Sequence, residues 1–130
     1  MLDLIAIKDA VVDAIEDIKG FDITVLDVST LTSMTHYMII CSANSSRQTK
    51  AIADNVRVEL KEKGIEPRGQ EGEGTGEWVL VDLDDVIVHV MTPTARAYYN
   101  LEQLWGDESK HITKDTIDTI DPLDPEAGLS

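Results

Sequence analysis

The sequence predicts a single α/β domain: a mixed β-sheet of about five strands with helices mainly on one face. Three observations lead to this fold class. The length of 130 residues suits one hydrophobic core, because two cores would each be too small to offset the entropy lost on folding. Apolar residues make up 42% of the chain, a fraction typical of globular proteins. The spacing of the apolar residues indicates, from the N-terminus on, the elements helix, strand, strand, helix, strand, strand, strand, helix.

The N-terminal part of the chain predicts one helix and two strands. Apolar residues at steps of three and four mark an amphipathic helix: Leu4, Ile7, Val11, Ala14 and Ile18. This helix is expected to end at Gly20. Segments 21–29 and 37–42 carry the β-branched and apolar residues of strands. The apolar run of 37–42 is nearly continuous, which predicts a central strand covered on both faces, or on one face with a partner on the other.

A second helix follows these strands. Ser45 with Gln48 three residues later is a capping-box pattern, which satisfies free backbone donors in the first turn of a helix. Its buried stripe consists of Ile52, Val56 and Leu60. Gly64 is placed to stop the helix. A helix between strand 37–42 and segment 64–70 predicts one right-handed parallel crossover.

The second half predicts a loop, a hairpin and a short helix. We expect a glycine-rich loop to form a mobile connection between strands rather than a phosphate-binding cradle; it contains Gly69, Gly72, Gly74 and Gly76. Segments 77–82 and 85–91 give the strongest strand signals, and the short turn at 83–84 predicts a tight antiparallel hairpin. Segment 95–105 predicts a short final helix.

Apolar periodicity fades after Gly106. The repeated Asp residues beyond it, with Pro122 and Pro125, are typical of chain that buries little apolar surface. We therefore expect a folded domain at 1–106 and an acidic, flexible tail at 107–130.

The charge balance limits the kinds of partner. Asp and Glu number 25 against 11 Lys and Arg, giving a formal net charge of -14 and a pI near 4.3. Such a chain repels phosphate backbones, and no window of the sequence is basic enough to override that repulsion, so we expect no direct nucleic-acid binding. Cationic surfaces, including basic proteins, are the favoured partners. Acidity that serves only solubility is the alternative.

The sequence also indicates a compartment. Cys41 is the only cysteine, which excludes an intramolecular disulfide and suits a reducing environment. Acidic residues at Asp3, Asp9 and Asp13 interrupt the apolar N-terminus before a signal-peptide core or membrane span forms. We expect a cytoplasmic protein without membrane contact.

The strongest enzymatic candidate is the acidic group Asp82, Asp84 and Asp85 near the hairpin turn. Alternating acids on a strand can hold divalent metals for phosphoryl transfer, as in nucleotidyltransferases. Those enzymes also need a Gly-Ser turn upstream to bind the triphosphate, and the corresponding stretch here is the acidic loop EGEGTGE. Acids that solvate a hairpin turn are the simpler interpretation.

Other reactive side chains have structural explanations. Ser45 and Ser46 suit helix capping and lack the G-x-S-x-G context of a nucleophile. Cys41 lies in an apolar strand, where burial raises a thiol pKa. The histidines show no metal-binding spacing: His36, His89 and His111. We expect no catalytic residue, metal or cofactor.

Strand alternation places four side chains on one face of the hairpin: Trp78, Leu80, His89 and Met91. If Val79 and Val81 pack under the helices, these four line the uncovered face. Aromatic and methionine side chains near acids form a plausible protein-binding patch. The alternative is that Trp78 is buried beneath a helix or the tail.

Three segments carry a resemblance to a known family: THYMIICSANSSRQTKAIADNV, GEWVLVDLDDVIVHVM and ARAYYNLEQLW. In this order and spacing the chain from about Leu4 to Trp105 resembles the ribosomal silencing factor family, RsfS, also called Iojap-like proteins. Two positions depart from the family pattern. His36 stands where the family commonly has Asp, and Asp84 stands where Gly is common.

The resemblance implies a non-enzymatic factor with a nucleotidyltransferase-like core that lacks the catalytic motif. Such factors bind the large ribosomal subunit through ribosomal protein L14 and block its joining to the small subunit, repressing translation in starvation or stationary phase. Organellar relatives assist assembly of the large subunit, and isolated members often form homodimers.

We expect the partner-binding residues to be Trp78, Asp82, Asp84, Asp85, His89, Met91, Tyr98 and Tyr99. Trp78 and Met91 would be apolar anchors, the tyrosines amphipathic contacts, and the acids partners for Lys or Arg. Two alternatives stay open: a metal-dependent nucleotidyltransferase and a dimeric scaffold with no ribosomal partner.

Overall fold

The structure is a computed structural model that describes residues 3–72 and 74–106. Within these residues four helices and five strands follow the predicted order, except that the final helix is divided in two. Their bounds are α1 (Leu4–Asp17), β1 (Phe21–Asp27), β2 (Tyr37–Ser42), α2 (Ser46–Glu62), β3 (Gly69–Glu71), β4 (Trp78–Asp82), β5 (Val86–Met91), α3 (Pro93–Tyr99) and α4 (Leu101–Gly106). No helix in the described ranges is long and apolar enough to cross a membrane.

The strands form one mixed sheet in the order β1-β2-β5-β4-β3. The pair β2–β5 is parallel and the other neighbouring pairs are antiparallel, so the predicted hairpin β4–β5 and the mixed sheet are confirmed. The predicted crossover is correct in direction, since β3 runs parallel to β2. However, β5 and β4 lie between these two strands, and β3 is an edge strand.

Helices α1 and α2 cover one face of the sheet. The valines of the hairpin pack beneath them. The cluster includes Val11, Ile15, Ile39, Ile52, Val56, Leu60, Val79, Val81, Val88 and Val90. All of these side chains are fully buried. Burying one aliphatic side chain of this size contributes about 1.5–3 kcal/mol, which makes this layer the main apolar core.

Side-chain caps define where the two long helices begin. The carboxylate of Asp3 accepts a hydrogen bond from the Ala6 N–H at 2.8 Å. The Ser45 hydroxyl accepts from the Gln48 N–H at 3.1 Å, as predicted. The return bond differs from a standard capping box, because the Gln48 amide oxygen accepts from Asn44 N–H, one residue before the cap. The Gln48 amide also donates to the Ile18 carbonyl and so joins the end of α1 to the start of α2.

The glycine-rich loop is fitted closely to its surroundings. Gly72 has φ +93°, and a Cβ there would lie 1.9 Å from the Trp78 carbonyl oxygen. Gly76 has φ +74°, and its carbonyl accepts a hydrogen bond from the Thr49 hydroxyl of α2. A left-handed backbone favours glycine because it lacks a Cβ. Both ends of the loop therefore depend on glycine.

Replacing Gly72 by alanine should destabilise the domain by about 2 kcal/mol or more, because the new methyl group meets rigid backbone in a left-handed residue. The matched control is Gly74→Ala in the same loop, where a Cβ meets nothing within 4 Å. Urea unfolding of both variants measures the difference in free energy of unfolding. Equal stability of Gly72→Ala and Gly74→Ala would contradict this fit of the loop.

Candidate partner-binding surface

The second face of the sheet is covered only in part, by the short helices α3 and α4. Ala95 of α3 and Leu101 of α4 belong to a second apolar cluster. Its other buried members are Val28, Met38, Ile40, Trp78 and Met91. The sequence predicted one final helix, but Asn100 adopts a left-handed conformation, with φ 50° and ψ 54°, and separates the two. Asparagine tolerates this conformation better than most residues with a side chain. The resulting bend lets both short helices contact the sheet.

Arg96 fixes this cover to the other edge of the sheet. Its guanidinium donates to the Glu102 carboxylate at 2.6 Å, the Ser42 hydroxyl at 2.9 Å and the Thr24 hydroxyl at 3.0 Å. It also donates to the carbonyl oxygen of Asp22. The Arg96 side chain is only 13% exposed. Its hydrogen bond to Glu102 lowers the pKa of that carboxyl group, which therefore stays ionised.

Trp78 and His89 form a buried polar pair on the second face. The indole N–H of Trp78 donates to Nδ1 of His89 at 2.9 Å. The imidazole must therefore be neutral, with its proton on Nε2. Burial lowers the pKa of His89 to about 3, in agreement with this state. Nε2 has no hydrogen-bond partner in the described part of the chain.

Two tyrosines of α3 extend this buried pair toward solvent. The ring of Tyr99 packs on Trp78, with centroids 4.4 Å apart, and Tyr98 meets Tyr99 edge-to-face at 5.1 Å. Tyr99 is partly buried, whereas Tyr98 is 49% exposed. Tyr98 is therefore the exposed end of an aromatic stack that begins in the core.

The structure corrects the predicted exposure of this face. Trp78, His89 and Met91 have exposures of 4%, 5% and 0%, so the prediction that they line an uncovered surface is wrong. Strand alternation was read correctly, but α3 and α4 cover this end of the face. Leu80 and Ile87 of the same face remain partly exposed nearer the hairpin turn. The open apolar area is smaller than predicted and lies closer to the acids.

The acids at the hairpin turn are held in different ways. The Asp82 carboxylate accepts the backbone N–H of Asp84 at 2.8 Å and stabilises the turn. Asp84 has φ +74°, which explains why glycine would also suit this position. Its carboxylate forms an ion pair with Arg68 at 2.7 Å. Asp85 is exposed, and its backbone carbonyl accepts hydrogen bonds from His36 and Tyr37.

The loop between β1 and β2 lies beside this turn. Together they border a cavity of about 280 Å³, lined by Ser29, Thr32, Ser33, Met34, Thr35, His36, Asp84 and Asp85. Met34 is 47% exposed at its rim. His36 lies 3.7 Å from the Asp27 carboxylate, whose pKa is lowered by hydrogen bonds from Ser29. Polar groups thus outnumber apolar ones at this end of the sheet.

The other reactive side chains occupy structural positions. Cys41 is buried in β2, and burial raises its thiol pKa to about 12, as the sequence indicated. Ser45 caps α2, and the prediction for it is confirmed. His111 lies outside the described residues. No group of three His, Cys, Asp or Glu side chains in the described ranges is placed to hold a metal ion.

Sequence reasoning missed two residues that shape the surface, Arg96 and Arg68. Arg96 and Glu102 are six residues apart across a helix break, so no helical spacing signals their pairing. Arg68 and Asp84 come from different strand ends that only the β3–β4 pairing brings together. Tertiary structure was needed to find both pairs.

The surface that results has three parts: exposed acids at the hairpin turn, partly exposed Leu80 and Ile87, and the exposed ring of Tyr98. Acids, apolar side chains and an aromatic ring on a rigid sheet are typical of a protein-binding surface. The fold defines a single-domain α/β protein, and this surface is its candidate site for binding another protein.

Comparison with known proteins supplies the family. Residues 3–127 match the family model described as "Ribosomal silencing factor during starvation", RsfS, and the chain belongs to this family. The RsfS of Chromobacterium violaceum is 50% identical over 107 residues, covering 82% of this chain and 88% of that protein. The chloroplastic protein Iojap of Zea mays is 37% identical over 94 residues, covering 72% of this chain and 41% of that protein.

A solved structure of a Chromobacterium violaceum protein confirms the fold. It matches with a TM-score of 0.80 at 43% sequence identity, covering 96% of this chain and 99% of that chain. The family match runs past residue 106. The domain boundary predicted there and the flexible tail at 107–130 concern residues outside the described part, and both stay predictions.

The buried Trp78–His89 pair predicts a particular pH dependence of stability. The unfolded chain binds a proton at His89 near pH 6.5, whereas the folded protein does so only near pH 3. Between these values the unfolded state binds more protons, so the free energy of unfolding falls as the pH is lowered. His89 lowers the free energy of unfolding by at most about 1.4 kcal/mol for each pH unit below 6.5, and it has no such effect above pH 6.5.

His89→Gln provides the matched control, since a glutamine amide oxygen can accept the indole N–H of Trp78 but does not titrate. The strand neighbours of His89, Ile40 and Leu80, carry no charge that would alter the comparison. Urea unfolding between pH 4 and pH 7 should give a steeper loss for wild type than for the variant. Identical slopes would show that His89 takes up its proton at the same pH in the folded and the unfolded state.

Proposed function

We propose that this protein is a non-enzymatic translation regulator that binds the large ribosomal subunit through ribosomal protein L14. Bound there, it blocks association with the small subunit and represses translation under starvation or in stationary phase. The observation that carries the proposal is the RsfS family match over residues 3–127. An acidic and partly apolar surface on the described residues supports it, because such a surface suits a basic protein partner.

The exposed members of the predicted site are the proposed direct contacts. Tyr98 packs on Tyr99, which packs on Trp78 at one end of β4. The acids lie at the other end of this strand, about 13 Å from Trp78 for a strand of this length. Leu80 and Ile87 lie between them on the same face. An apolar centre flanked by polar residues is the usual arrangement of a protein interface.

The buried members of the predicted site have a supporting role in this proposal. Trp78, His89 and Met91 hold the cover formed by α3 and α4 and thereby set the position of the tyrosines. Replacing them would change the partner surface indirectly. The acids act differently: Asp82, Asp84 and Asp85 attract Lys or Arg of the partner and mainly raise the rate of association.

The mechanism proposed is physical obstruction. A folded domain bound at the surface where the subunits meet keeps them apart without altering either one chemically. No metal, cofactor or catalytic group takes part in this step. The proposed site of action is the cytoplasm, where the ribosomes are, and the free protein is proposed to form a homodimer, which sedimentation equilibrium would detect.

Sedimentation with purified ribosomal subunits tests the proposal. The protein should sediment with large subunits, not with small subunits, and light scattering should show slower joining of the two when it is present. Sedimentation with neither subunit would refute the proposal. Binding of a nucleoside triphosphate with Mg²⁺ would instead favour the nucleotidyltransferase alternative.

Tyr98→Ala should weaken binding to large subunits by about 2 kcal/mol, as expected when a partner buries an exposed aromatic side chain. Val58→Ala is the matched control, because Val58 of α2 is 48% exposed and lies on the helix-covered side of the sheet. Quantitative co-sedimentation measures both. If the two variants bind equally well, Tyr98 is not a contact.

A further inference from the structure

We infer that Arg68 is an intramolecular competitor: in the free protein it occupies the carboxylate of Asp84, and a basic side chain of the partner protein must replace it. This inference rests on the proposed function, because it concerns how the acidic turn meets its partner. Arg68 lies beside the surface and is positively charged, like the side chains of the partner that bind there. By occupying Asp84 it weakens the binding of the partner.

The geometry favours a reversible contact. Arg68 Nη1 lies 2.7 Å from Asp84 Oδ1, a short charge-assisted hydrogen bond. The backbone N–H of Arg68 donates to the Asp82 carbonyl at 2.8 Å, which fixes the start of the Arg68 side chain beside the turn. Both side chains are nevertheless more than 60% exposed, at 63% and 61%. Water and an approaching partner therefore have access to the pair.

Asp84 also borders a space that another cation can enter. Its residue lines the cavity of about 280 Å³ beside the turn, and Arg68 does not. Ser29 and Thr32 also line this cavity, and their hydroxyl oxygens can accept hydrogen bonds from an ammonium or guanidinium group. Asp84 thus both contacts its internal partner Arg68 and borders a polar cavity.

The three acids of the turn are unequally available in the free protein. Asp82 holds the backbone of the turn and Asp84 holds Arg68. Asp85 has no side-chain hydrogen bond or ion pair within the described residues. When a partner cation replaces Arg68, one charge-assisted bond is exchanged for another, so the net gain is small. An exposed pair of this kind limits the effect to about fivefold in affinity.

A protein cation is favoured over a nucleic acid as the ligand of this site. Phosphate would be attracted by Arg68 but repelled by three neighbouring carboxylates. The two cases also predict opposite effects of removing Arg68. Loss of a competitor strengthens binding, whereas loss of a phosphate contact weakens it.

The experiment compares Arg68→Gln with Arg57→Gln. Arg57 pairs with Asp54 on α2 at 3.2 Å, and its side chain is also largely exposed, at 47%. Both variants lose one positive charge, so the change in the overall field of the protein is matched. Stopped-flow association with purified large subunits at low salt should be about two- to fivefold faster for Arg68→Gln than for Arg57→Gln. Equal or slower association would overturn the inference.

The Arg68→Gln substitution is then repeated in a variant that already carries Asp84→Asn. Asparagine tolerates the left-handed backbone of this position, so the turn should be kept. With the carboxylate removed, Arg68→Gln should have no further effect on the association rate. An undiminished acceleration in this background would show that Arg68 does not act through Asp84.

A titration without ribosomes separates failure of this inference from failure of the proposed function. N-acetyl-arginine methylamide and N-acetyl-lysine methylamide serve as probes, and the NMR shifts of Asp84 and Asp85 report binding. Half-saturation should occur at about two- to fivefold lower probe concentration in Arg68→Gln than in Arg57→Gln. Equal half-saturation in the two variants would overturn the competitor role. Lower half-saturation in Arg68→Gln, together with no binding of large subunits, would refute the proposed function but not the competitor role.

Discussion

The hydrogen bonds of Arg96 hold two short helices against the second face of the sheet, and the shape of the candidate surface depends on them. The sheet has apolar side chains on both faces, but the long helices α1 and α2 cover only one. The other face is left to α3 and α4. Arg96 fixes them to β1 and β2 through Thr24 and Ser42.

The partial cover divides the second face into a buried and an open part. Beneath the cover, the indole N–H of Trp78 donates to Nδ1 of His89, whereas Nε2 of His89 is buried without a partner in the described part of the chain. Beyond it, Leu80 and Ile87 stay partly exposed next to the acids of the turn. A more extensive cover would have hidden these side chains. Because no longer helix pair covers this side among the described residues, the candidate partner surface stays partly open.

Most of the fold follows from local patterns. Alternation in 77–82 and 85–91 predicted the hairpin and placed the valines under the helices, and Ser45 with Gln48 marked the start of α2. Strand order could not be read in this way, because the position of β5 between β2 and β4 depends on long-range pairing. Alternation placed Trp78, His89 and Met91 on one face but did not give their exposure, since it identifies a face without showing what covers it.

Exchange of the Trp78 indole N–H with solvent deuterium, followed by NMR, tests most directly whether Arg96 holds the cover in place. In Arg96→Gln this proton should exchange at least about tenfold faster than in wild type, because loss of the guanidinium frees α3 and α4. Backbone amides of Ile39 and Val88, in the strands at the centre of the sheet, should keep their protection. Unchanged exchange of the indole proton would show that the cover does not depend on Arg96.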